Sequence, residues 1–291
     1  MITYMLRTKA NAASNEDEDI NTIIRCINER NASGIKIIES FKERFNLDIL
    51  EARKRSGNSR KQHYDFSILV RSQSSTEWKQ VEHKGSKHFR PIHPEDKPWT
   101  AGVQFHNGGC EKYTIAKKYA RLWYDIHIKS ELLQRKFNVT SSIPTFEEWF
   151  DKDCKVQSDP KSKFGKELKK RVRDERGPRA SILEARQPVL AAFELSEEEK
   201  KQFIEEVLPI ANHALKEKHY WITIHGNVAG EANDFYTAWY PNFIITSIIS
   251  VDIIKNLDIE FKFVCDNNFT FNAILRWGKG SGFSCLRIDL K

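Results

Sequence analysis

Residues 63–86 read HYDFSILVRSQSSTEWKQVEHKGS, and this stretch decides the fold that the sequence predicts. Apolar and polar side chains alternate over residues 63–71, which is the period-two pattern of a β-strand. Residues 73–77 favour a turn, and residues 78–84 form a second strand candidate. Two strands joined by so short a turn predict an antiparallel hairpin, with Asp65 on its first strand and Glu82 on its second.

The segments around this hairpin predict a mixture of helices and strands. Apolar residues at helical spacing predict helices at 18–31, 33–45, 111–129 and 196–218, and strands are expected at 47–53, 220–225, 242–248, 259–265, 269–277 and 283–290. Ser33 is the expected N-cap of the second helix, and Ser196 with Glu199 predicts a capping box. Helices, a hairpin, more helices and a β-rich tail indicate α/β or α+β architecture.

Composition narrows the class of protein. The chain of 291 residues is 40% hydrophobic and contains seven tryptophans, which is typical of a folded protein. No apolar run is long enough for a membrane span, and the N-terminal sequence does not resemble a secretory signal. The five cysteines are dispersed without a C-x-x-C pair, which favours a reducing compartment and predicts a cytoplasmic protein without a membrane partner.

The charge distribution points to a polyanionic partner. The net charge is +7, and residues 161–186 contain ten basic residues against four acidic ones. Lysine and arginine side chains on phosphates release condensed counterions, so such a stretch favours nucleic-acid binding. A solvated helix face explains the same stretch equally well.

The hairpin carries the residues most suited to chemistry. Glu82 and Lys84 share a strand face because side chains repeat every two residues, and we expect the Asp65 carboxylate to reach that of Glu82. Two close carboxylates repel unless a cation lies between them, so the pair predicts a Mg²⁺ site. A lysine beside it can orient a metal-bound water or help to deprotonate it, and this set suits phosphodiester cleavage.

These residues resemble the PD-(D/E)xK nuclease superfamily, which includes most type II restriction endonucleases. The resemblance covers Tyr64-Asp65-Phe66 and Val81-Glu82-His83-Lys84-Gly85-Ser86, within residues 34–125, about a third of the chain. The family pattern is a helix with a glutamate, a strand with the aspartate and a strand with the E-x-K. Tyr64 stands where the family name has proline.

The resemblance implies a role for each matching residue. Asp65 and Glu82 are then metal ligands, the carbonyl of His83 is the backbone ligand, and Lys84 is the catalytic lysine. Glu39 is the candidate for the helix glutamate, and Glu43 and Glu51 compete with it. The implied cofactor is Mg²⁺, for which Mn²⁺ can substitute. The implied fold is a restriction-endonuclease-like core, with a central mixed sheet flanked by helices, plus a β-rich C-terminal region.

Other motifs compete with this interpretation. E-x-K triplets are expected by chance in so charged a chain, and Glu198-Glu199-Lys200 and Glu260-Phe261-Lys262 are further examples. The first falls on a predicted helix, where positions i and i+2 do not share a face. The second falls on a predicted strand, with Asp252 and Asp258 upstream. Several histidines near Cys110 fit no standard zinc-finger spacing.

The resulting hypothesis is a Mg²⁺-dependent endonuclease that cuts double-stranded DNA, most similar to a sequence-specific type II restriction enzyme and acting as a homodimer. Its alternatives are a repair, recombination or RNA-directed nuclease, and a non-catalytic nucleic-acid-binding protein. Residues 1–135 are the expected core, 136–218 a helical basic region, and 219–291 a β-rich region that completes the core or recognises the target. The candidate DNA contacts are Ser86, Lys87, Gln104, Lys117, Lys118, Lys169, Lys170, Arg171 and Arg173.

Overall fold

The structure is a computed structural model, and it describes residues 12–55, 64–86, 106–156, 159–174, 178–225, 234–239, 244–256, 258–277 and 285–291. The chain divides into two compact units, of which unit 1 comprises residues 1–100 and 213–244. Unit 2 comprises residues 101–212 and 245–291. The segment 219–291, predicted as one β-rich region, therefore contributes to both units.

Helices and strands alternate in groups, which confirms the predicted mixed α/β class. The helices are α1 (Ala12–Glu29), α2 (Ala32–Phe45), α3 (Thr114–Trp123), α4 (Leu132–Lys136), α5 (Phe146–Trp149), α6 (Lys163–Asp174), α7 (Pro178–Ala192) and α8 (Glu197–Lys216). The strands are β1 (Asp48–Lys54), β2 (Phe66–Arg71), β3 (Thr76–Ser86), β4 (His106–Gly109), β5 (Tyr220–His225), β6 (Asp234–Trp239), β7 (Ile248–Lys255), β8 (Ile259–Cys265), β9 (Thr270–Trp277) and β10 (Leu286–Leu290).

The sheet of unit 1 is mixed, and its described strands follow the order β1-β2-β3-β5-β6. β2 and β3 form the predicted antiparallel hairpin, with Phe66 opposite Val81 and Arg71 opposite Thr76. β5 runs parallel to β3, and the other neighbouring strands are antiparallel. A parallel neighbour cannot be reached by a tight turn, so β3 and β5 are joined by a long crossover that contains residues 101–212.

Helices α1 and α2 bury one face of this sheet. Their apolar side chains pack with those of β1, β2 and β3 in a single core, to which Ile23, Ile27, Ile37, Phe41, Phe66, Ile68 and Val81 belong. The ring of Phe41 meets that of Tyr220 at the start of β5, with centroids 5.1 Å apart. Asn31 is the N-cap of α2 and accepts a hydrogen bond from the Gly34 N–H, so the prediction of Ser33 was wrong.

Unit 2 has its own sheet, in the order β4-β10-β9-β8-β7, and an aromatic core. The indole of Trp277 on β9 lies within ring-contact distance of Tyr119, Trp123 and Trp149, with centroids 5.4 to 6.1 Å apart. The capping box that begins α8 is confirmed, because the Ser196 N–H donates to Glu199 and the Glu199 N–H donates to the Ser196 hydroxyl. None of the helices in the described part of the chain combines the length and apolar character that a bilayer crossing requires.

Two predicted elements of unit 2 differ from the structure. Residues 244–247 are not a strand, and β7 instead begins at Ile248. The side-chain amide of Asn212 donates to the Ile245 carbonyl and accepts from the Ile245 N–H. The backbone of Ile245 therefore bonds to helix α8 rather than to a neighbouring strand. The predicted helix at 111–129 begins as α3 at Thr114 and continues after Trp123 as a π-helical turn, Tyr124–Ile128.

Edge strand β1 is tied to α1 by one side chain, which gives a first prediction. The Asn28 amide donates to the Ala52 carbonyl and accepts from the Ala52 N–H, both at 2.8 Å. Because Ala52 is buried, Asn28→Ala should lower the free energy of unfolding by about 1–3 kcal/mol. Urea titration measures this loss, and amide hydrogen exchange at Ala52 should accelerate.

Two variants sharpen the test of Asn28. Asn28→Asp keeps the acceptor for the Ala52 N–H but removes the donor to its carbonyl, so its loss of stability should be intermediate. Asn21→Ala changes an exposed asparagine of the same helix and should be nearly neutral. Equal effects of Asn21→Ala and Asn28→Ala would contradict the assigned role.

Candidate functional site

The candidate site lies where the β2–β3 hairpin ends. The Asp65 N–H donates to the Val81 carbonyl at 2.9 Å, and the Asp65 carboxylate accepts from the His83 N–H at 2.7 Å. The side chain of Asp65 thus bonds to the β3 backbone just beyond the last paired residue of β2. His83 is the residue that follows Glu82, so the side chain of Asp65 is bound to the E-x-K segment of β3. The predicted approach of the Asp65 carboxylate to that of Glu82 stays a prediction.

Glu82 faces away from the helices of unit 1. Phe66 and Val81 belong to the core under α1 and α2, and alternation along a strand turns Glu82 to the opposite face. Ser67 and Gln80 form the next pair on that face. Lys84 follows Glu82 by two residues on β3 and pairs with Thr223 of β5. For Lys84 the structure describes the backbone, so the predicted action of its ammonium stays a prediction.

Glu82 forms a buried ion pair with a residue that sequence reasoning missed. The Lys218 ammonium lies 3.1 Å from Oε2 of Glu82, and the side chains of the two residues are only 3% and 6% exposed, respectively. Lys218 follows α8 and comes two residues before β5. The sequence contains no local signal for this contact, because it depends on the parallel register of β3 with β5.

His219 fixes the position at which Lys218 enters the sheet. Its backbone N–H donates to the Gln80 carbonyl at 3.0 Å, and its Nδ1 accepts from the Gln80 N–H at 3.2 Å. Burial lowers the pKa of His219, and the nearby ammonium of Lys79 lowers it further. A neutral imidazole is the form that can accept a hydrogen bond at Nδ1. His219, the residue after Lys218, is thereby hydrogen-bonded to both the N–H and the carbonyl of Gln80.

The chemistry of the donor set fits magnesium. Mg²⁺ in proteins is bound by one or two carboxylates and keeps several waters, so it does not require a cage made only of protein ligands. Asp65, Glu82 and the His83 carbonyl supply hard oxygen atoms of the required kind. Within the described ranges, no three His, Cys, Asp or Glu side chains converge on a common point for a metal ion.

The proposed helix acid does not approach these carboxylates through any described contact. Glu39 is exposed on α2, and α2 packs on the face of the sheet opposite to Glu82. Glu43, its first competitor, is also exposed on α2. Glu51 lies on β1 opposite Leu69, which places it on the same face as Glu82 but further along the sheet. The role predicted for Glu39 stays a prediction.

The competing E-x-K on β8 has a different environment. The residues opposite Glu260 are Ile254 and Ile274, so neither neighbouring strand presents an acid to it. Asp252 is opposite Lys262 instead, and Asp258 forms an ion pair with Arg186 at 2.9 Å. At the first hairpin, in contrast, Asp65 bonds to the β3 backbone at the residue that follows Glu82. This difference favours Glu82 over Glu260.

The candidate DNA contacts fall into three groups. Lys87 and Gln104 lie outside the described residues, and for Ser86 and Arg173 the backbone is described. Three candidates are engaged by acids, namely Lys118 with Glu199, Lys169 with Asp159, and Arg171 with Glu167. Lys117 and Lys170 are exposed. The last group is the better placed to meet a phosphate, since its charges are not already paired with a described acid.

Helix α6 presents a basic surface in unit 2. Phe164, Leu168 and Val172 are buried at four-residue spacing and hold the helix to its unit. Lys163, Lys166 and Lys170 are exposed on the remaining surface. We call these three residues the α6 lysine stripe. Its spacing of three and four residues keeps the three charges on neighbouring turns of one side of the helix.

Comparison with known proteins adds no assignment. No protein-family model matches this chain, and no curated protein matches its sequence. A function is therefore argued from the residues and contacts of the chain itself.

The buried ion pair gives a second prediction. Removing one partner of a buried pair leaves an uncompensated charge, so Lys218→Met in metal-free buffer should lower the free energy of unfolding by about 3–5 kcal/mol. Glu82→Gln should cost a similar amount, because Lys218 then loses the carboxylate that lies 3.1 Å from its ammonium. The double variant Glu82→Gln/Lys218→Met should lose less than the sum of the two single changes.

An exposed pair provides the control for this cycle. Lys155 contacts Asp151 at 2.6 Å, with both side chains well exposed, so Lys155→Met should cost less than about 1 kcal/mol. All variants are compared by urea unfolding in the presence of a chelator. Strict additivity of the Glu82 and Lys218 substitutions would contradict a direct interaction between them.

Proposed function

We propose that this chain is a Mg²⁺-dependent endonuclease that hydrolyses phosphodiester bonds of double-stranded DNA, in the manner of a type II restriction enzyme with a PD-(D/E)xK site. The observation that carries the proposal is the hydrogen bond from the His83 N–H to Asp65. It anchors one acid to the E-x-K strand, at the residue that follows Glu82. A pair of acids held in this way, with a lysine two residues further along, suits the cleavage of a phosphodiester.

The order and pairing of the elements support the same proposal. The resemblance implies a helix, a strand with the aspartate and a strand with the E-x-K in a mixed sheet flanked by helices. In unit 1, α2 precedes β1, β2 and β3, and the sheet has one parallel pair among antiparallel ones. The assignment to this superfamily is part of the proposal.

The chain's own residues would divide the chemical task. Asp65, Glu82 and the His83 carbonyl would hold Mg²⁺, which when bound polarises a phosphoryl oxygen and lowers the pKa of the attacking water. The His83 N–H orients Asp65 by donating a hydrogen bond to one of its carboxylate oxygens. Lys84 would orient the attacking water and stabilise the charge that develops on the phosphate. Glu39 would support the site from α2.

DNA would be held chiefly through its phosphates. The α6 lysine stripe and Lys117 offer exposed ammonium groups for such contacts, which position a duplex but do not read its sequence. Cleavage of both strands is most simply achieved by two copies of the chain related by a two-fold axis. We therefore include a homodimer in the proposal.

The third prediction is metal-dependent DNA cleavage. Purified protein incubated with plasmid DNA and Mg²⁺ should convert supercoiled DNA to linear fragments. Asp65→Asn, Glu82→Gln and Lys84→Ala should each slow cleavage by at least about a hundredfold, because each removes a group that acts on the transition state. The rate is measured from the disappearance of supercoiled plasmid.

The competing triplet provides the matched control for cleavage. Glu260→Gln/Lys262→Met alters the E-x-K on β8 and should leave the rate unchanged. Equal rates for the wild type and the hairpin variants would refute the proposed site. A discrete fragment ladder on long DNA supports a restriction activity, whereas preference for branched, damaged or RNA substrates supports a repair, recombination or RNA-directed nuclease.

The fourth prediction concerns binding by the α6 lysine stripe. Replacing Lys163, Lys166 and Lys170 by glutamine should weaken duplex binding uniformly across sequences. It should also reduce the slope of log K against log salt concentration by about 0.9 for each lost phosphate contact. Fluorescence anisotropy over a series of salt concentrations, with Ca²⁺ to prevent cleavage, measures both effects.

The control for this experiment removes two lysines that are already paired. Lys152 and Lys155 contact Glu148 and Asp151 one helical turn away, so their replacement by glutamine should change the slope much less. An equal change in both sets of variants would mean that α6 has no particular role in binding.

A second function is favoured by one specific observation. Glu82 is already neutralised by Lys218 inside the fold, which is also what a purely structural ion pair would look like. A protein built this way could bind nucleic acid without cutting it. Two results together would favour this alternative. The protein would bind DNA in a salt-sensitive manner without Mg²⁺-dependent cleavage, and Asp65→Asn would change its stability but no other measured property.

A further inference from the structure

The Lys218–Glu82 ion pair occupies an unusual place for a buried lysine. The ammonium is enclosed with one of the two carboxylates proposed as metal ligands, 3.1 Å from Oε2. Its chain position is fixed by the bonds of His219 to Gln80 and by the parallel register that starts at Val81 and Tyr220. The contact is therefore a consequence of the sheet itself rather than of a freely moving surface side chain.

Desolvation makes such a pair a poor source of stability. Two charges removed from water regain their hydration energy only partly through mutual attraction, and well-packed apolar residues of similar volume often stabilise a fold as much or more. The α1–α2 side of the same sheet is filled in that way, with Phe66, Ile68 and Val81. The charged pair thus calls for an explanation other than packing.

A divalent cation and the Lys218 ammonium would compete for Glu82. Both are positive and both are attracted to its carboxylate, and their mutual repulsion is strong at a site removed from water. We infer that Lys218 is the resident counter-ion of the metal site: it holds Glu82 when no metal is bound, and it weakens the binding of a divalent cation at Asp65 and Glu82.

This inference rests on the proposed function, since it assigns Lys218 a role toward the same metal site. Lys218 is a positioning residue in this scheme, because it acts on Glu82 and not on the substrate. The coupling is reciprocal by linkage, so a bound cation weakens the Lys218–Glu82 contact to the same extent that Lys218 weakens the cation. Metal binding is then an exchange of one counter-charge for another.

The test measures Mn²⁺ binding to the full chain without DNA, from the loss of the electron paramagnetic resonance signal of free Mn²⁺. Lys218→Gln removes the charge but keeps an N–H donor for Glu82, and it should bind Mn²⁺ about tenfold to a hundredfold more tightly than the wild type. Lys218→Arg keeps the charge and should bind with nearly wild-type affinity. Glu82→Gln should abolish the site.

Thermal unfolding provides a second readout that does not require the variants to be equally stable. Lys218→Gln should melt at a lower temperature than the wild type in chelator, and added Mn²⁺ should raise its midpoint by more than it raises that of the wild type. Lys218→Met, which also lacks the donor, should show the same order. A purely structural lysine would lower the midpoint without altering the Mn²⁺-induced shift.

The outcomes separate the inference from the proposed function. If wild type binds Mn²⁺ in a Glu82-dependent manner but Lys218→Gln binds it equally or more weakly, the counter-ion role is refuted and the metal site stands. If neither wild type nor Lys218→Gln has a Glu82-dependent site, the proposed metal site is refuted, and the counter-ion role falls with it. Tighter binding by Lys218→Gln alone supports both.

Discussion

The parallel pairing of β3 with β5 is the constraint on which the rest of unit 1 depends. Parallel neighbours require a crossover, and here the crossover holds residues 101–212, almost the whole helical part of unit 2. The same pairing aligns Val81 with Tyr220, which brings Lys218 to Glu82. After the crossover, the chain thus pairs again with β3, the strand that carries the E-x-K, and it places the buried ammonium of Lys218 there. The geometry of the candidate site and the division of the chain have one origin.

The local part of this arrangement could be predicted from the sequence. Alternation over residues 63–71 and the polar turn after it fix the hairpin, because a one-residue slip would expose Phe66, Ile68 and Val70. The capping box of Ser196 and Glu199 is equally local and was also confirmed. Features of this kind need only a few consecutive residues, so they are visible before any tertiary contact is known.

The long-range part could not be predicted. Lys218 has no pattern around it that points to Glu82, and the contact appears only when β5 is set in register against β3. Side-chain bonds to the backbone were also missed. Asn31 rather than Ser33 caps α2, and Asn212 takes the backbone groups of Ile245 where a strand was expected. In each case one side-chain amide bonds to backbone groups that the regular hydrogen bonds of helices and strands leave unpaired. The hydrophobic periodicity of the sequence does not reveal such bonds.

Other buried acids of the chain show what distinguishes Glu82. Asp153 accepts from the N–H of Lys161 and from the N–H and hydroxyl of Ser162, and burial raises the pKa of its carboxyl. Asp289 is paired with Arg276 on the neighbouring strand β9 and with Arg287 on its own strand β10. Both arrangements fasten neighbouring parts of unit 2. Glu82 instead precedes the residue at which Asp65 bonds to β3, and the proposed cation site depends on these two acids.

The interleaving of the two units has a consequence for biosynthesis. In unit 1, the second edge of β3 can be paired only after residues 220–225 have been synthesised. In unit 2, β4 at residues 106–109 pairs with residues 287–290. The sheet of unit 1 is therefore completed only after residues 234–239 have been synthesised, and that of unit 2 only after residues 287–290. Chains with such distant pairings fold slowly and expose strand edges meanwhile. A newly made copy would thus acquire its enclosed Glu82 late, well after the hairpin that carries it has emerged.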